Sequence, residues 1–504
     1  MEKNARKLFE SLCRYIRETG ILESIGGLLA WDEQTKMPAA GAEHRAEQYT
    51  VLSGILHRRL TAPTLGDLLG DLEDFCRFER PHSDLGATYR MVKRMHDRAM
   101  QLPEKLVEEL SRTSVLSRTA WMEARQEDDF AKFRPWLEKT LGLKREQADA
   151  VGYDIEPYDA LLDEYEPGMK TETLARVLQE LGRQLVPLIE QAHQAERPPS
   201  TEVLRRHFPT AAQEAFAREM ARYIGFDFDR GRLDVTTHPF CCSTGPDDVR
   251  ITTRYNERFF NEAFFGVLHE AGHGIYEQGL PSEHFGLPLG EAVSLGVHES
   301  QSRLWENLVG RSKAFWRFAL PRAKEIFPEA LGDVSLEAFH RAINRIEPSP
   351  IRVEADEATY NLHVLIRFEM ETALLDGSIR VVDAPEAWND KYEEYLGFRP
   401  ENDRLGILQD VHWSQGSIGY FPTYTLGNLY AAQLFDRARE ELGDLDSMFE
   451  RGHFEPLRMW LQEHVYQKGQ RYLGNELIKE VTGKPLSSDA MLAHLRRKIE
   501  SVYA

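Results

Sequence analysis

The segment HEAGHGIYEQG, residues 269–279, constrains this chain more than any other stretch. On an α-helix, His269 and His273 lie about 40° apart around the axis, one turn above each other. Two imidazoles so placed can ligate one tetrahedral zinc. Glu270, between them, is then held beside a water on the metal as a general base. The chemistry needs this layout because neutral water is a poor nucleophile. Zinc lowers the pKa of water toward ~7, and a carboxylate takes the proton. The alternative is a core helix that happens to carry two histidines.

The surroundings favour the metal. EAFFGVLHEAGHGIYEQGLP is apolar on most sides and ends at Gly279, with Pro281 just beyond. A helix that is apolar nearly all round is buried, and two buried histidines need partners. Gly266, Gly272 and Gly274 each cost about 1 kcal/mol relative to Ala inside a helix. Close approach of another backbone, from a neighbouring helix or a bound peptide, would justify them; loose packing is the plain alternative. GEAVSLGVHESQSRLWENLVG, residues 290–310, reads as a second helix after a loop containing Pro281, Pro288 and Gly290. An antiparallel return would bring Glu299 beside the histidines. Two His and one Glu, with the fourth position open, form a catalytic zinc set. On spacing alone, Glu291 and His298 compete for the third place.

The rest of the chain reads as mostly helical. Residues 105–149 and 170–195 carry apolar residues at three- and four-residue intervals. Breaks are expected at 152–170 (GYDIEPYDALLDEYEPGMK) and at EPSP, 347–350. One region differs. RLDVTTHPFCCS (232–243) and VRITTRY (249–255) flank a Gly-Pro-Asp turn and predict a β-hairpin just before the motif helix. Asp248, Arg250 and Thr252 would share one face of its second strand. If that strand edged a groove, an extended peptide could add to it.

Composition excludes several classes. The 504 residues are 42% hydrophobic and 29% charged, as in a globular chain rather than a disordered one. A net charge of −20 argues against nucleic acid, and against an anionic membrane surface. No run approaches the ~18 apolar residues of a membrane-spanning helix. The N-terminus lacks an apolar signal core. Cys13, Cys76, Cys241 and Cys242 show no C-x-x-C spacing, so no disulfide framework is expected and a reducing cytoplasm is the setting. The adjacent pair after HPF reads as small buried residues.

Around these residues the sequence resembles the M32 family of HExxH zinc carboxypeptidases, the thermostable-carboxypeptidase type. HPF stands at 238–240, DVRIT at 248–252, HEAGH at 269–273 and HESQ at 298–301. IRVEAD at 351–356 and GILQDVHW at 406–413 follow in the family's order, and GYFPTYTLGNLYAAQ (419–433) and WDEQTKMP (31–38) are also similar to it. The resemblance implies that Glu299 is the third ligand and Glu270 the catalytic acid/base. It implies a mainly α, neurolysin-like metallopeptidase fold with a small β-hairpin at the active site. Residues 1–504 would form a single catalytic domain, with two helical subdomains flanking a deep groove. It further implies a homodimer that releases C-terminal residues stepwise, with broad tolerance and poor action at proline. One divalent metal per chain is expected; zinc fits, and cobalt also accepts the donor set.

A carboxypeptidase must recognise a free carboxylate, and arginine's planar fork suits that task. Arg352 in IRVEAD is the candidate, with Arg250 in reserve; for either, the alternative is a structural ion pair, with Glu354 and Asp356 near Arg352. Tyr420, Tyr424, His238 and His412 are candidate donors to the developing oxyanion. Asp410 with His412 reads as a supporting pair. Two rival readings are an oligopeptidase-type endopeptidase on the same scaffold and a peptide-binding protein without catalysis.

Overall fold

The computed structural model describes residues 2–503 and is mainly α-helical, with one three-stranded sheet. The chain divides into two compact units, each assembled from separated stretches. The first comprises Met1–Met100, Ser200–Ile343 and Tyr430–Lys484. The second comprises Gln101–Pro199, Asn344–Leu429 and Pro485–Ala504.

At the centre of the first unit runs the helix Phe260–Gly279, with 14 of its residues buried. It is buried because it is apolar nearly all round. Its N-terminal half packs into an aromatic cluster that includes Phe208, Phe216, Trp316, Phe327 and Phe339. The other side rests on the sheet. Strands β1 (Gly231–Val235), β2 (Cys241–Ser243) and β3 (Val249–Thr253) are ordered β1-β3-β2. β2 and β3 form an antiparallel pair, with Cys242 opposite Arg250. β1 runs parallel to β3, with Arg232 opposite Arg250.

The sheet corrects the expected hairpin in two ways. The run 232–243 is two strands, interrupted at the TTHPF segment. β1 ends at Val235, and Pro239, which has no N–H to give a ladder, lies in the gap before β2 begins at Cys241. DVRIT also lies on the central strand, so its backbone is already paired on both sides. An added peptide strand would have to join β1 or β2 instead. The long N-terminal helix Glu2–Thr35 packs against β2, where an added Cβ on Gly27 would lie 3.2 Å from the Ser243 carbonyl oxygen. Trp31 of WDEQTKMP lies under both Arg250 (4.2 Å to the ring centroid) and Arg232 (4.9 Å). Lys36 pairs with Asp234 at 3.1 Å.

In the second unit, the expected helix over 105–149 is two helices, Glu104–Glu127 and Phe130–Val151. The break is at Asp128, whose φ of 58° ends the first helix, and Asp129, whose carboxylate accepts from Ala131 N and caps the second. The expected break at 152–170 contains a nine-residue helix, Pro157–Tyr165, started by proline at its first position. The stretch 170–195 is the helix Thr171–His193. The buried helix Thr359–Asp376 forms the middle of this unit.

The glycines of the motif helix separate into two kinds. A Cβ at Gly272 would meet Gln301 O at 2.6 Å and Ser302 Cα at 2.7 Å, which is backbone of the returning helix. One at Gly274 would meet the Phe226 ring at 2.5 Å. At Gly266 the nearest atom is Thr253 Oγ1 at 3.6 Å, an ordinary contact, so close approach does not explain that glycine. Gly272→Ala should therefore lower the thermal midpoint despite its better helix propensity, because overpacking costs about 1–3 kcal/mol. Gly266→Ala should leave it unchanged or raise it by the equivalent of up to ~1 kcal/mol. Calorimetric unfolding of both variants beside the parent checks the contrast.

Candidate metal centre

His269, Glu270 and His273 project from the middle of the Phe260–Gly279 helix. The chain leaves this helix through Leu280 and Pro281 and returns through a loop anchored by Tyr276, whose hydroxyl accepts from Val293 N at 3.1 Å. Ser294 caps the returning helix, its Oγ accepting from Val297 N. The helix therefore begins at Leu295 rather than at 290, runs to Arg303, and continues as a π-helical turn over Leu304–Val309. Such turns are rare and frequently mark functional sites.

The return places Glu299 against both histidines. Its Oε2 is 3.7 Å from His269 Nε2 and 3.4 Å from His273 Nε2. One donor atom from each of the three residues lies within 4.8 Å of the others, the only such metal-capable group among the described residues. Glu270 is buried at 6% exposure on the same helical turn. The rivals fall elsewhere. His298 stacks on the His273 ring at 4.5 Å and points Nε2 at Glu277 Oε1, 2.8 Å away. Glu291 lines a separate cavity with Glu23 and Glu277.

The donor set fits a divalent metal on grounds internal to the site. His269 Nδ1 lies 2.9 Å from Glu306 Oε2, so it carries the ring proton and leaves the Nε2 lone pair for the metal. Glu299 Oε1 accepts from Arg303 Nε at 2.7 Å, which leaves Oε2 turned to the histidines. Ser302 Oγ also donates to Oε2, at 3.1 Å. Glu306 is itself held by Arg311 and Arg303 at 3.2 and 3.4 Å. The Arg311 guanidinium lies 3.8 Å over the Phe265 ring. His273 Nδ1 is buried and meets no hydrogen-bond partner among the described residues.

Electrostatics sort these groups. Burial pushes the Glu299 carboxyl up, but Arg303 and the two histidines hold it well below the usual carboxylate range. Burial also acts on Glu306, which His269 and the two arginines hold down at about 2. Burial lowers His273 to about 3, with His298 assisting, so its ring is neutral. Burial lowers His269 too, but Glu299 and Glu306 outweigh it and the net shift is upward. Glu270 is raised to about 7, chiefly by burial and against the pull of His269.

Glu306, Arg303 and Arg311 were absent from the sequence reading. A signal existed: Glu299, Arg303 and Glu306 are spaced three and four apart, so they share a helix face.

The remaining candidates fall into separate places. Arg250 is half-buried and pairs bidentately with Asp248 (2.8 and 2.7 Å). His238 is exposed in the loop between β1 and β2. In the second unit, Arg352, His412, Tyr420 and Tyr424 cluster together. Arg352 is buried and donates to Asp410 Oδ1 from Nε (3.1 Å) and Nη2 (2.8 Å), and to Tyr360 from Nη1 (2.8 Å). Its ion-pair partner is thus Asp410, not the nearby Glu354 or Asp356; Asp356 instead caps the Thr359–Asp376 helix through Ala358 N and Thr359 N. Asp410 also binds Arg367. Its nearest approach to His412 is 4.0 Å, so the expected Asp410–His412 pair is not a hydrogen bond. His412 Nε2 lies 3.2 Å from the Tyr424 hydroxyl instead. Cys241 and Cys242 are half-buried, and burial pushes both thiols up, Cys242 to about 12, so neither is a nucleophile.

Two outcomes follow from this wiring. Metal must displace the proton that His269 gains from its raised pKa. Apparent metal affinity should therefore fall by up to ~10-fold per pH unit as pH drops through that value, and level off above it. Competition with a chelator of known affinity across pH 5.5–8.5 measures this. Glu306→Ala should cost ~10–100-fold in metal affinity at pH 8, as other partners of ligating histidines do, and should move the acid limb to lower pH.

The geometry agrees with three comparisons. The family profile described as carboxypeptidase Taq (M32) metallopeptidase matches residues 11–499. Thermostable carboxypeptidase 1 of Thermus thermophilus is 47% identical over 98% of this chain and 99% of its own. Carboxypeptidase 1 of Bacillus subtilis is 39% identical over 94% of this chain and 95% of its own. The crystal structure of an M32 carboxypeptidase from Deinococcus radiodurans superposes with a TM-score of 0.95, at 41% identity, covering 99% of each chain. A motif helix, a return that places Glu299 against its histidines, and a matching profile along nearly the whole length lead to one conclusion: the chain belongs to the M32 family of metallopeptidases.

Proposed function

We propose that this protein is a zinc-dependent carboxypeptidase that removes residues one at a time from the free C-terminus of peptides, with broad tolerance and poor action at proline. Residues 1–504 serve as one catalytic domain, acting in the cytoplasm as a homodimer. The observation that carries the reading is the convergence of His269, His273 and Glu299 with a buried Glu270 on the same helical turn.

A divalent ion in this donor set supplies a Lewis acid that polarises the scissile carbonyl and acidifies water. The protein's own groups do the rest. Glu270 takes a proton from the attacking water and passes it to the leaving amine. A carboxyl raised to about 7 by burial both accepts and donates near neutral pH.

Arg352 is proposed as the cation for the substrate carboxylate, with Arg250 in reserve. Asp410 and Tyr360 hold its guanidinium in a fixed plane, a preorganised fork. Tyr420, Tyr424, His238 and His412 are proposed donors near the reacting peptide. Burial lowers His412 to about 4, so its ring is neutral at pH 7 and keeps one N–H to donate. The same pairing supports one rival. Arg352 is already satisfied by Asp410 and Arg250 by Asp248, and an endopeptidase needs no carboxylate clamp.

Mass spectrometry of one mixed-sequence peptide, with a free and with an amidated C-terminus, separates the readings. A ladder of single-residue losses from the free end, absent with the amide, is expected. Internal cuts in both peptides would instead establish the endopeptidase. Glu270→Gln should keep its metal and lose ~10²–10⁴-fold in kcat; an unchanged rate would remove Glu270 from the mechanism. Chelation should abolish activity, and zinc or cobalt should restore it.

A further inference from the structure

The two proposed ligand histidines are held by different means. His269 is fixed through its outer nitrogen, with Nδ1 2.9 Å from Glu306 Oε2. His273 Nδ1 is buried and meets no hydrogen-bond partner among the described residues. The difference matters because the χ2 torsion of histidine is broad and roughly two-fold, so the backbone alone does not fix where Nε2 points. A ligating imidazole is ordinarily oriented by a hydrogen bond to its other nitrogen. Among the described residues, what is left to set the plane of the His273 ring is packing.

The His298 ring is the neighbour placed to do this. Its centroid lies 4.5 Å from that of His273, and the two planes are 23° apart. The His269 ring, by contrast, meets His273 edge-on, at 5.0 Å and 82°. Turning His273 about χ2 would drive its edge into the His298 face. The stack therefore blocks the rotation that would carry Nε2 away from Glu299. A stop works only if it is itself fixed. His298 Nε2 lies 2.8 Å from Glu277 Oε1, and its ring lies 5.5 Å from the Tyr276 ring at 40°. Its backbone N–H donates to Ser294 O at 2.9 Å, in the first turn of the returning helix. Tyr276 is fully buried, packs on the Tyr466 ring at 5.1 Å and accepts from Val293 N. His273, Tyr276 and Glu277 are three and four positions apart, so they share one face of the motif helix. That face grips a single side chain of the return.

We infer that His298 is a positioning residue for the metal centre: its imidazole, anchored by Glu277, sets the plane of His273 by stacking rather than by hydrogen bonding. The inference rests on the reading that His269, His273 and Glu299 hold one metal ion. It gives the histidine of HESQ a role distinct from ligation. It also gives Glu277 one, as the anchor that ties the ring back to the helix carrying His273.

The test measures zinc affinity of full-length variants by competition with a chelator of known affinity. The visible spectrum of the cobalt-loaded protein is the second readout. His298→Phe keeps a planar ring but loses the nitrogen that meets Glu277. His298→Gln keeps a polar group for Glu277 but has no ring, and His298→Ala has neither. The Ala and Gln variants should each weaken zinc ~10-fold or more, as loss of other partners of ligating histidines does, and should shift the cobalt bands. The Phe variant should stay within ~3-fold of the parent and keep its cobalt spectrum, because an aromatic pair survives. Glu277→Leu, which frees the second ring but leaves it in place, should fall between. Equal zinc affinity across the His298 variants would overturn the proposal. So would recovery by Gln and not by Phe, which would make the hydrogen bond to Glu277 the device. Affinity that follows the thermal midpoint of the metal-free protein, rather than the presence of a ring, would also overturn it. The contrast of Phe with Gln carries the test even where the Ala variant fails to fold. His273→Ala checks the reading beneath and should lose far more affinity than any His298 variant. If it does not, the three-residue site falls and the inference with it; if it does while the His298 variants match the parent, only the inference falls.

Discussion

The metal centre depends on two helix backbones meeting at Gly272. The carbonyl of Gln301 and the Cα of Ser302 occupy the space where a side chain at residue 272 would begin. That contact sets the distance between the Phe260–Gly279 helix and its return, and so the distance from Glu299 to His269 and His273. The proposed ligands sit in mid-helix on both elements, where backbone hydrogen bonds and buried packing leave little freedom. Sites built on regular elements in this way hold their geometry more tightly than sites built on loops.

Burying so many ionisable groups would be unfavourable without internal compensation. The centre compensates in a chain. Arg311 and Arg303 hold Glu306, Glu306 holds the outer nitrogen of His269, and Arg303 also holds the outer oxygen of Glu299. His269 and Glu299 are thus each oriented by the far atom and turn the near atom toward the proposed metal position, whereas His273 Nδ1 meets no partner among the described residues. Glu299 and Glu306 raise His269 against its burial, while burial raises Glu270. Burial, with His298, keeps the His273 ring neutral. In the second unit an analogous network, Arg352–Asp410–Arg367, fixes a guanidinium rather than a metal ligand.

What the sequence revealed follows the range of each interaction. His269, Glu270 and His273 were legible because their relation is a helical spacing within five residues, and Glu299 because the return is short. The family resemblance ranked Glu299 above Glu291 and His298, and the geometry separates them. Glu306 shares the three- and four-residue spacing of Glu299 and Arg303, but that spacing alone does not point to His269, and the π-helical turn that carries it leaves no mark in the pattern. The partner of Arg352 is distant in sequence, so local reading turned to Glu354 and Asp356. The hairpin was half right for a similar reason. Residue alternation marks strands, but the parallel pairing of β1 with β3 is a long-range choice, and only Pro239 hinted at the interruption.

The central claim is that His269, His273 and Glu299 hold one metal ion. Crystals of the zinc-loaded protein, with anomalous scattering measured on both sides of the zinc edge, test it directly. The account predicts a single strong zinc peak per chain, with His269 Nε2, His273 Nε2 and a Glu299 carboxylate oxygen at about 2.0–2.2 Å. A zinc peak elsewhere, or a fully loaded protein with density at this position only for water, would contradict it.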